Sequence, residues 1–460
     1  MTDELADIPR SLEELMGFSA PCRCGKVHSV EMRGVSIRPG ALEEVVDRAA
    51  EVGGRLQIVV VADRVTWEIA GERVEQLLKK GGYPVRVCKI PDGAGGRPHA
   101  DDKSLALVES ALAGADLAVA VGSGTVNDLT KLASYNRKIP YLVAATAPSM
   151  NGYTSAIAAV MQKGVKRTVD CHQPLWAVAD LDILKTAPLE LVAAGLGDLE
   201  SKPTSTADFR LSGRIRGDYY CPAPEGVVLD AEARVAEAAG GLKQRDPEAL
   251  ALLTEALMLS GISMKLAGSS SPASGGEHLI SHYWDMIAPD ENRVEGWHGA
   301  QVGVATIVTA TLYESLRSMD PADIDVDALV AARVPLEDLE SVIRSRHGRR
   351  AEEVWQEFSK KHPTAERLRG ELTAIREGWD ELWAHVGATL RPPGRIRKIL
   401  HAAGAPVTVG GLGLESGHLR RAFSAAREIR NRFTVLDLAA DLGVLESRSG
   451  SVLKASGCLD

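Results

Sequence analysis

No long run of lysine or arginine occurs in this 460-residue chain, and its 53 basic residues are outnumbered by 62 acidic ones. Nucleic acid is therefore not an expected partner, and an anionic ligand would have to find locally placed cations. Long apolar runs are missing too. The stretch 56–62 is among the longest, far short of the ~20 residues that cross a bilayer. The first residues, Met1-Thr2-Asp3-Glu4-Leu5-Ala6-Asp7, are acidic and lack the basic-then-apolar pattern of an export signal. The expectation is a cytoplasmic protein with no membrane partner. Cysteine is scarce, with six scattered residues, which suits a reducing compartment. Cys22, Cys24 and His28 invite comparison with a metal knuckle, but Cys-x-Cys with one histidine lacks the spacing and ligand count of a structural zinc site. No internal repeat or low-complexity segment occurs. What remains is an ordinary globular composition, 45% hydrophobic and 25% charged, enough for a sizeable core in two or three domains.

Histidine is where the chain concentrates. Three of its eleven histidines fall in Gly276-Glu277-His278-Leu279-Ile280-Ser281-His282 and the nearby Trp297-His298-Gly299. On a helix His278 and His282 share one face about one turn apart. His298 opens another apolar run, so a second element can bring a third imidazole to the same point. That density suggests a metal; the competing reading is two helix histidines that pack or face solvent.

Upstream, Ala194-Gly195-Leu196-Gly197-Asp198-Leu199 reads as a small-residue turn carrying an acid before a helix start. Asp198 is an equally good N-cap from local sequence alone. Earlier still, 117–121 reads as a short buried strand, followed by Gly122-Ser123-Gly124-Thr125-Val126-Asn127-Asp128 and a helical run to Tyr135. Strand, glycine turn and helix start make an anion site, because backbone amides converge there with the positive end of the helix dipole. A lone Gly-Ser-Gly is weak; joined to an aspartate and histidines it is more specific.

Residues 29–180 alternate short apolar runs with helical patterns. Strands are expected at 57–62, 84–88, 117–121 and 140–144, with helices at 66–80 and 102–113, which reads as βαβ units around a parallel sheet. Ligands then gather at the strand carboxyl ends, where Asp63, Asp92, Gly122 and Thr146 lie. Asp63 suits an adenosine ribose hydroxyl, or a plain turn before Arg64. From about Thr186 helical patterns take over, at 249–266, 278–286, 300–316 and 366–386. The charge-rich stretch 320–380 reads most simply as a solvated helical face. The expected architecture is an α/β nucleotide-binding domain with a parallel sheet, 1–186, and an all-α metal-binding domain, 187–460, with a cleft between them.

Taken in order along nearly the whole chain, these motifs resemble glycerol-1-phosphate dehydrogenases. The residues that carry the resemblance are Gly122–Asp128, the run Thr146-Ala147-Pro148-Ser149-Met150-Asn151-Gly152-Tyr153-Thr154-Ser155, Gly197-Asp198-Leu199, and Glu277-His278 through His282 to His298-Gly299-Ala300-Gln301-Val302-Gly303. The Cys22–His28 start and the segment 426–437 are similar to the bacterial branch, within the superfamily of iron-type alcohol dehydrogenases, glycerol dehydrogenases and dehydroquinate synthases.

The resemblance implies NAD or NADP, one divalent metal ion (zinc, nickel or iron), and reversible reduction of dihydroxyacetone phosphate to sn-glycerol 1-phosphate, in a homo-oligomer. It implies Asp198, His278 and His298 as metal ligands, with His282 either relaying a proton or serving as a fourth ligand. Gly122, Ser123, Gly124, Thr125, Asp128, Thr146, Ser149 and Ser155 would line the cofactor cleft, with Asn151 and Tyr153 as further candidates. For the substrate phosphate Lys202 is the first candidate, and the cluster Lys163, Lys166 and Arg167, which also reads as an exposed turn, is the second. Lys202 stands where iron-binding relatives often carry histidine, which argues against the iron-type ligand set; Pro203, where relatives more often carry an aromatic residue, and Phe209, where tryptophan is common, bear on pocket shape. A dehydrogenase acting on an unphosphorylated polyol, a dehydroquinate synthase-like cyclase, and an inactive relative are the alternatives.

Overall fold

The computed structural model describes residues 5–460. Two short antiparallel strands, β1 (Ser19–Pro21) and β2 (Val27–Ser29), form a hairpin ahead of the main sheet. That sheet has six strands: β3 (Gly34–Arg38), β4 (Ile58–Asp63), β5 (Val85–Ile90), β6 (Leu117–Gly122), β7 (Tyr141–Ala145) and β10 (Trp176–Asp180). Their spatial order is β3-β10-β7-β6-β4-β5, and every neighbouring pair is parallel. β4, β6 and β7 are buried along their whole length, which is why they read as continuous Val and Ala runs without alternation. A second hairpin, β8 (Ile157–Gln162) and β9 (Val165–Asp170), leaves the sheet between β7 and β10.

Beyond Asp180 the described chain is helical. The helices that build the site are Leu189–Leu199, Lys202–Arg216, Pro247–Ala267, Gly276–Ile287 and His298–Arg317. Pro247–Ala267 is long and apolar enough by composition to cross a membrane, with a mean hydropathy of 1.5, but 78% of that window is buried inside the fold as a core helix. It exceeds the apolar runs expected from the sequence because small Ala, Ser and Gly residues interrupt its Leu, Ile and Met positions without adding charge.

Three expectations are corrected by the architecture. Gly195 and Gly197 do not form a turn; both lie within the Leu189–Leu199 helix. Their smallness serves packing. A Cβ on Gly195 would stand 1.8 Å from the Pro148 carbonyl oxygen, and one on Gly197 would stand 2.2 Å from that of Gly299. Asp198 is likewise no N-cap, since it sits near the C-terminal end of that helix. The helix expected over 366–386 is two, Ala365–Glu377 and Trp379–Gly387, separated at Gly378.

The charged 320–380 segment does more than face solvent. Its helix Ala351–Lys361 and the turn before it grip the tip of the β8–β9 hairpin. The Arg350 guanidinium donates to the Gly164 carbonyl at 3.0 Å, Arg167 pairs with Glu357 at 3.3 Å, and Lys163 approaches Glu353 to 3.7 Å.

Candidate active site

Three elements bring the predicted metal ligands together. Asp198 comes from the Leu189–Leu199 helix, His278 from the first turn of Gly276–Ile287, and His298 from the first residue of His298–Arg317. One oxygen of Asp198 and one nitrogen of each histidine lie within 4.8 Å of one another. The close glycine contact explains the convergence: Gly197 packs on Gly299, and the adjoining residues are Asp198 and His298.

Each imidazole is turned by a partner outside the cluster. His278 Nδ1–H donates to Glu277 Oε1 at 2.8 Å, so its Nε2 lone pair faces Asp198 Oδ1 at 3.6 Å. Ser281 Oγ donates to Gln301 Oε1 at 2.8 Å and so accepts from His298 Nδ1 at 3.2 Å, which leaves His298 Nε2 free. Such outer partners fix tautomer and ring orientation in metal sites. Burial pushes His298 down to about 3. Burial would raise the Asp198 carboxyl, but the Lys202 ammonium 2.7 Å away outweighs it and holds it well below the usual carboxylate range. A carboxylate and neutral imidazoles with converging lone pairs are the donor set a divalent zinc, nickel or iron ion accepts, so these residues fit the implied metal.

His282 lies outside this cluster. It stacks on His298 with ring centroids 5.5 Å apart, and its buried Nδ1 has no partner among the described residues. Burial and the neighbouring His298 keep its pKa well below the ordinary histidine value, so it is neutral.

The cluster opens into a cavity of about 190 Å³. Gly124, Thr125, Asp128 and Ser155 line it from the sheet side; His278, His282 and His298 line it from the helical side. A neighbouring cavity of about 140 Å³ shares Gly124, Thr125 and His298, and adds Ser123, Ser149 and Asp285. The glycine loop is built as its sequence implies: β6 ends at Gly122, Ser123 is the N-cap, and the helix Gly124–Arg137 aims its N-terminus at the shared space. Gly122 admits no side chain, since a Cβ would stand 2.6 Å from that of Val126.

Other predicted residues do different work. Thr146 is buried, its amide donating to the Gly122 carbonyl at 3.2 Å, and neither it nor Gly122 lines these two cavities. Asp63 caps the turn Arg64–Thr66, accepting from the Thr66 amide at 2.7 Å, and is also outside them. Asp128 accepts from the Ala159 amide at 3.1 Å, and burial raises its pKa against the pull of Lys131. Ser155 receives Lys131 Nζ at 3.1 Å, and Asn151 lines the cavity while its amide donates to Asp198 Oδ2 at 3.0 Å. Tyr153 is buried and donates to the Ala147 carbonyl at 2.6 Å.

Lys202 changes role. Its Nζ is fully buried and spends its protons on Asp198 Oδ1 (2.7 Å), the Ala273 carbonyl (3.0 Å) and Ser201 Oγ (3.1 Å). It touches neither cavity and holds the metal aspartate, with no proton left for a phosphate. Of the second candidate cluster, Lys166 lines both cavities, 3.7 Å from Asp285, while Lys163 is exposed at the hairpin tip. Strand alternation carries that signal, since Lys163 sits in the turn between β8 and β9 while Lys166 lies within β9. Asp285, pushed up to about 6 by burial against the Lys166 charge, was not foreseen. Its position seven residues after His278 places it on the same helix face, the one available sequence signal.

Comparisons agree with this geometry. The family described as iron-containing alcohol dehydrogenase matches residues 36–188. The glycerol-1-phosphate dehydrogenase [NAD(P)+] of Bacillus licheniformis is 31% identical over 434 residues, 93% of this chain and 94% of that protein. The one from Halalkalibacterium halodurans is 37% identical over 306 residues, 66% of this chain and 76% of its own. An iron-containing alcohol dehydrogenase structure from Thermococcus thioreducens, 15% identical, superposes with a TM-score of 0.60 over 92% of this chain and 99% of that one, showing the shared fold. With the ligand cluster, the glycine-loop helix and near-full-length similarity in place, the chain belongs to the glycerol-1-phosphate dehydrogenase family of the iron-containing alcohol dehydrogenase superfamily.

Proposed function

We propose that this protein reduces dihydroxyacetone phosphate to sn-glycerol 1-phosphate, reversibly, with NADH or NADPH. The observation that carries the reading is the Asp198, His278 and His298 cluster opening into the same cavity as the Gly124 helix N-terminus. Asp198, His278 and His298 would hold a divalent ion, which when bound supplies Lewis-acid stabilisation of the charge that develops on a carbonyl oxygen. Backbone amides at Gly124 and Thr125 suit the cofactor pyrophosphate. Lys166 supplies the cation for the substrate phosphate, and His282, which lines the same cavity and whose Nδ1 has no partner among the described residues, relays a proton to the alkoxide to complete the new hydroxyl.

The test is cofactor oxidation by chelator-stripped protein given dihydroxyacetone phosphate or dihydroxyacetone, with zinc, nickel or iron returned separately. Metal-dependent oxidation with the phosphorylated substrate alone is expected. Equal rates with dihydroxyacetone would replace this reading with polyol chemistry.

A further inference from the structure

Apart from the residues that line the catalytic cavity, the chain gathers a second set of metal-type donors. Cys22, Cys24, His28 and Cys221 each contribute one ligand atom to a group lying within 4.8 Å. The first three come from the β1–β2 hairpin, and Cys221 comes from the loop after the Lys202–Arg216 helix. The sequence alone showed three donors at a spacing unlike a zinc knuckle; the fold supplies the fourth from almost 200 residues away.

We infer that these four residues form a structural zinc site, Cys3His, that pins the N-terminal hairpin to the helical part of the protein. Three of the six donor–donor distances match the edges of a tetrahedron, and the rest lie within 4.8 Å. With zinc–sulfur bonds of about 2.3 Å and zinc–nitrogen bonds of about 2.0–2.1 Å, sulfur–sulfur edges come to about 3.8 Å and sulfur–nitrogen edges to about 3.6 Å. Cys22 Sγ and Cys221 Sγ stand 3.9 Å apart, and His28 Nε2 is 3.5 Å from both Cys24 Sγ and Cys221 Sγ.

The surroundings are those of a metal centre and not of loose thiols. His28 is fully buried, and its Nδ1–H donates to the Leu266 carbonyl at 2.6 Å, which turns the Nε2 lone pair onto the three sulfurs. The Ala6 amide donates to Cys22 Sγ at 3.4 Å, as amides do to thiolates. Gly25 takes a positive φ of 89°, letting its amide bond back to the Cys22 carbonyl at 3.0 Å and bringing the two cysteines to one side of the turn. Lys26 caps the assembly, with Nζ 2.8 Å from the Ala267 carbonyl and over the Tyr219 ring, whose hydroxyl lies 3.5 Å from Cys24 Sγ. A cation and a hydroxyl offset the net negative charge of a zinc ion with three thiolates.

The test uses the full chain with Asp198→Ala and His278→Ala together, so that the catalytic donors are removed. After dialysis against a chelator, about one zinc per chain is expected to remain, with an X-ray absorption spectrum dominated by sulfur at about 2.3 Å. An organomercurial added to this folded protein should release that zinc in full. Adding Cys221→Ser should lower retained zinc at least about tenfold; where that variant fails to fold, mercurial release from the intact cluster decides. A protein that retains no zinc, a first shell of nitrogen and oxygen only, or a Cys22–Cys221 disulfide found by non-reducing mass spectrometry would each overturn the assignment.

Discussion

Replacing Gly197 with alanine puts the helix contact behind the catalytic centre to a quantitative test. The new Cβ would stand 2.2 Å from the Gly299 carbonyl oxygen, a backbone atom that cannot rotate aside, whereas ordinary contact begins at 3.4 Å. The two helices must therefore part by about 1.2 Å, because a packed interior has no slack to absorb the difference. Two effects compete. Alanine is the better helix former by about 0.8–1.0 kcal/mol, while overpacking costs about 1–3 kcal/mol, so a net loss of up to about 2 kcal/mol is expected. The functional effect is larger, since metal–ligand distances tolerate only about 0.2 Å and the displaced helices carry Asp198 and His298. The concentration of the activating divalent metal that half-reactivates stripped enzyme should rise at least about tenfold. Gly240→Ala is the control: it lies in the Glu225–Lys243 helix with nothing within 4 Å of the new Cβ. It should stabilise by about 0.8 kcal/mol and leave reactivation unchanged. If Gly197→Ala reactivates at the same metal concentration as wild type and melts no lower, the contact does not position the ligands.

Lys166→Ala is expected to raise KM for dihydroxyacetone phosphate by about tenfold or more, the loss of a charge-assisted phosphate contact, while Lys163→Ala leaves it unchanged; steady-state kinetics separate the two. Lys202→Met strands the buried Asp198 carboxylate, so metal-free protein should lose about 3–5 kcal/mol in denaturant titrations, and less with metal bound. Acid should weaken the fold through His172 and His362, both pushed down to about 4 by burial. The unfolded chain protonates these imidazoles below 6.5 while the folded chain does not, so their contribution is intact above pH 6.5 and lost as pH falls toward 4. Chemical denaturation of wild type against His172→Gln, His362→Gln protein across that range reads the difference.

The elements with strong local signals were legible from the chain. The Val-rich strand 58–63 and the Gly-Ser-Gly loop announced a parallel sheet and an anion-binding helix start, and the histidine spacing announced one helix face. What escaped was set by contacts between distant segments. Gly195 and Gly197 look alike in a turn or in a helix packed backbone to backbone; only the approach of Gly299 and Pro148 distinguishes them. Lys202 looks like any lysine beside an active-site acid until Ala273 and Ser201 consume its protons. Cys221 has no motif at all, because its partners belong to a hairpin at the other end of the chain.

The grip of the charged helices on the β8–β9 hairpin gives the surface a say in catalysis. Lys166 stands on β9, whose turn end is tied to the helical region by the Arg350 hydrogen bond to the Gly164 carbonyl and by the Arg167 and Lys163 ion pairs. Partly exposed ion pairs of this kind contribute only about 0–1 kcal/mol each and weaken in salt. Together they brace the strand that carries Lys166 against the helical region, and raising the salt concentration should loosen that brace. The charged segment 320–380 thus makes the anchoring of Lys166 sensitive to the ionic strength outside.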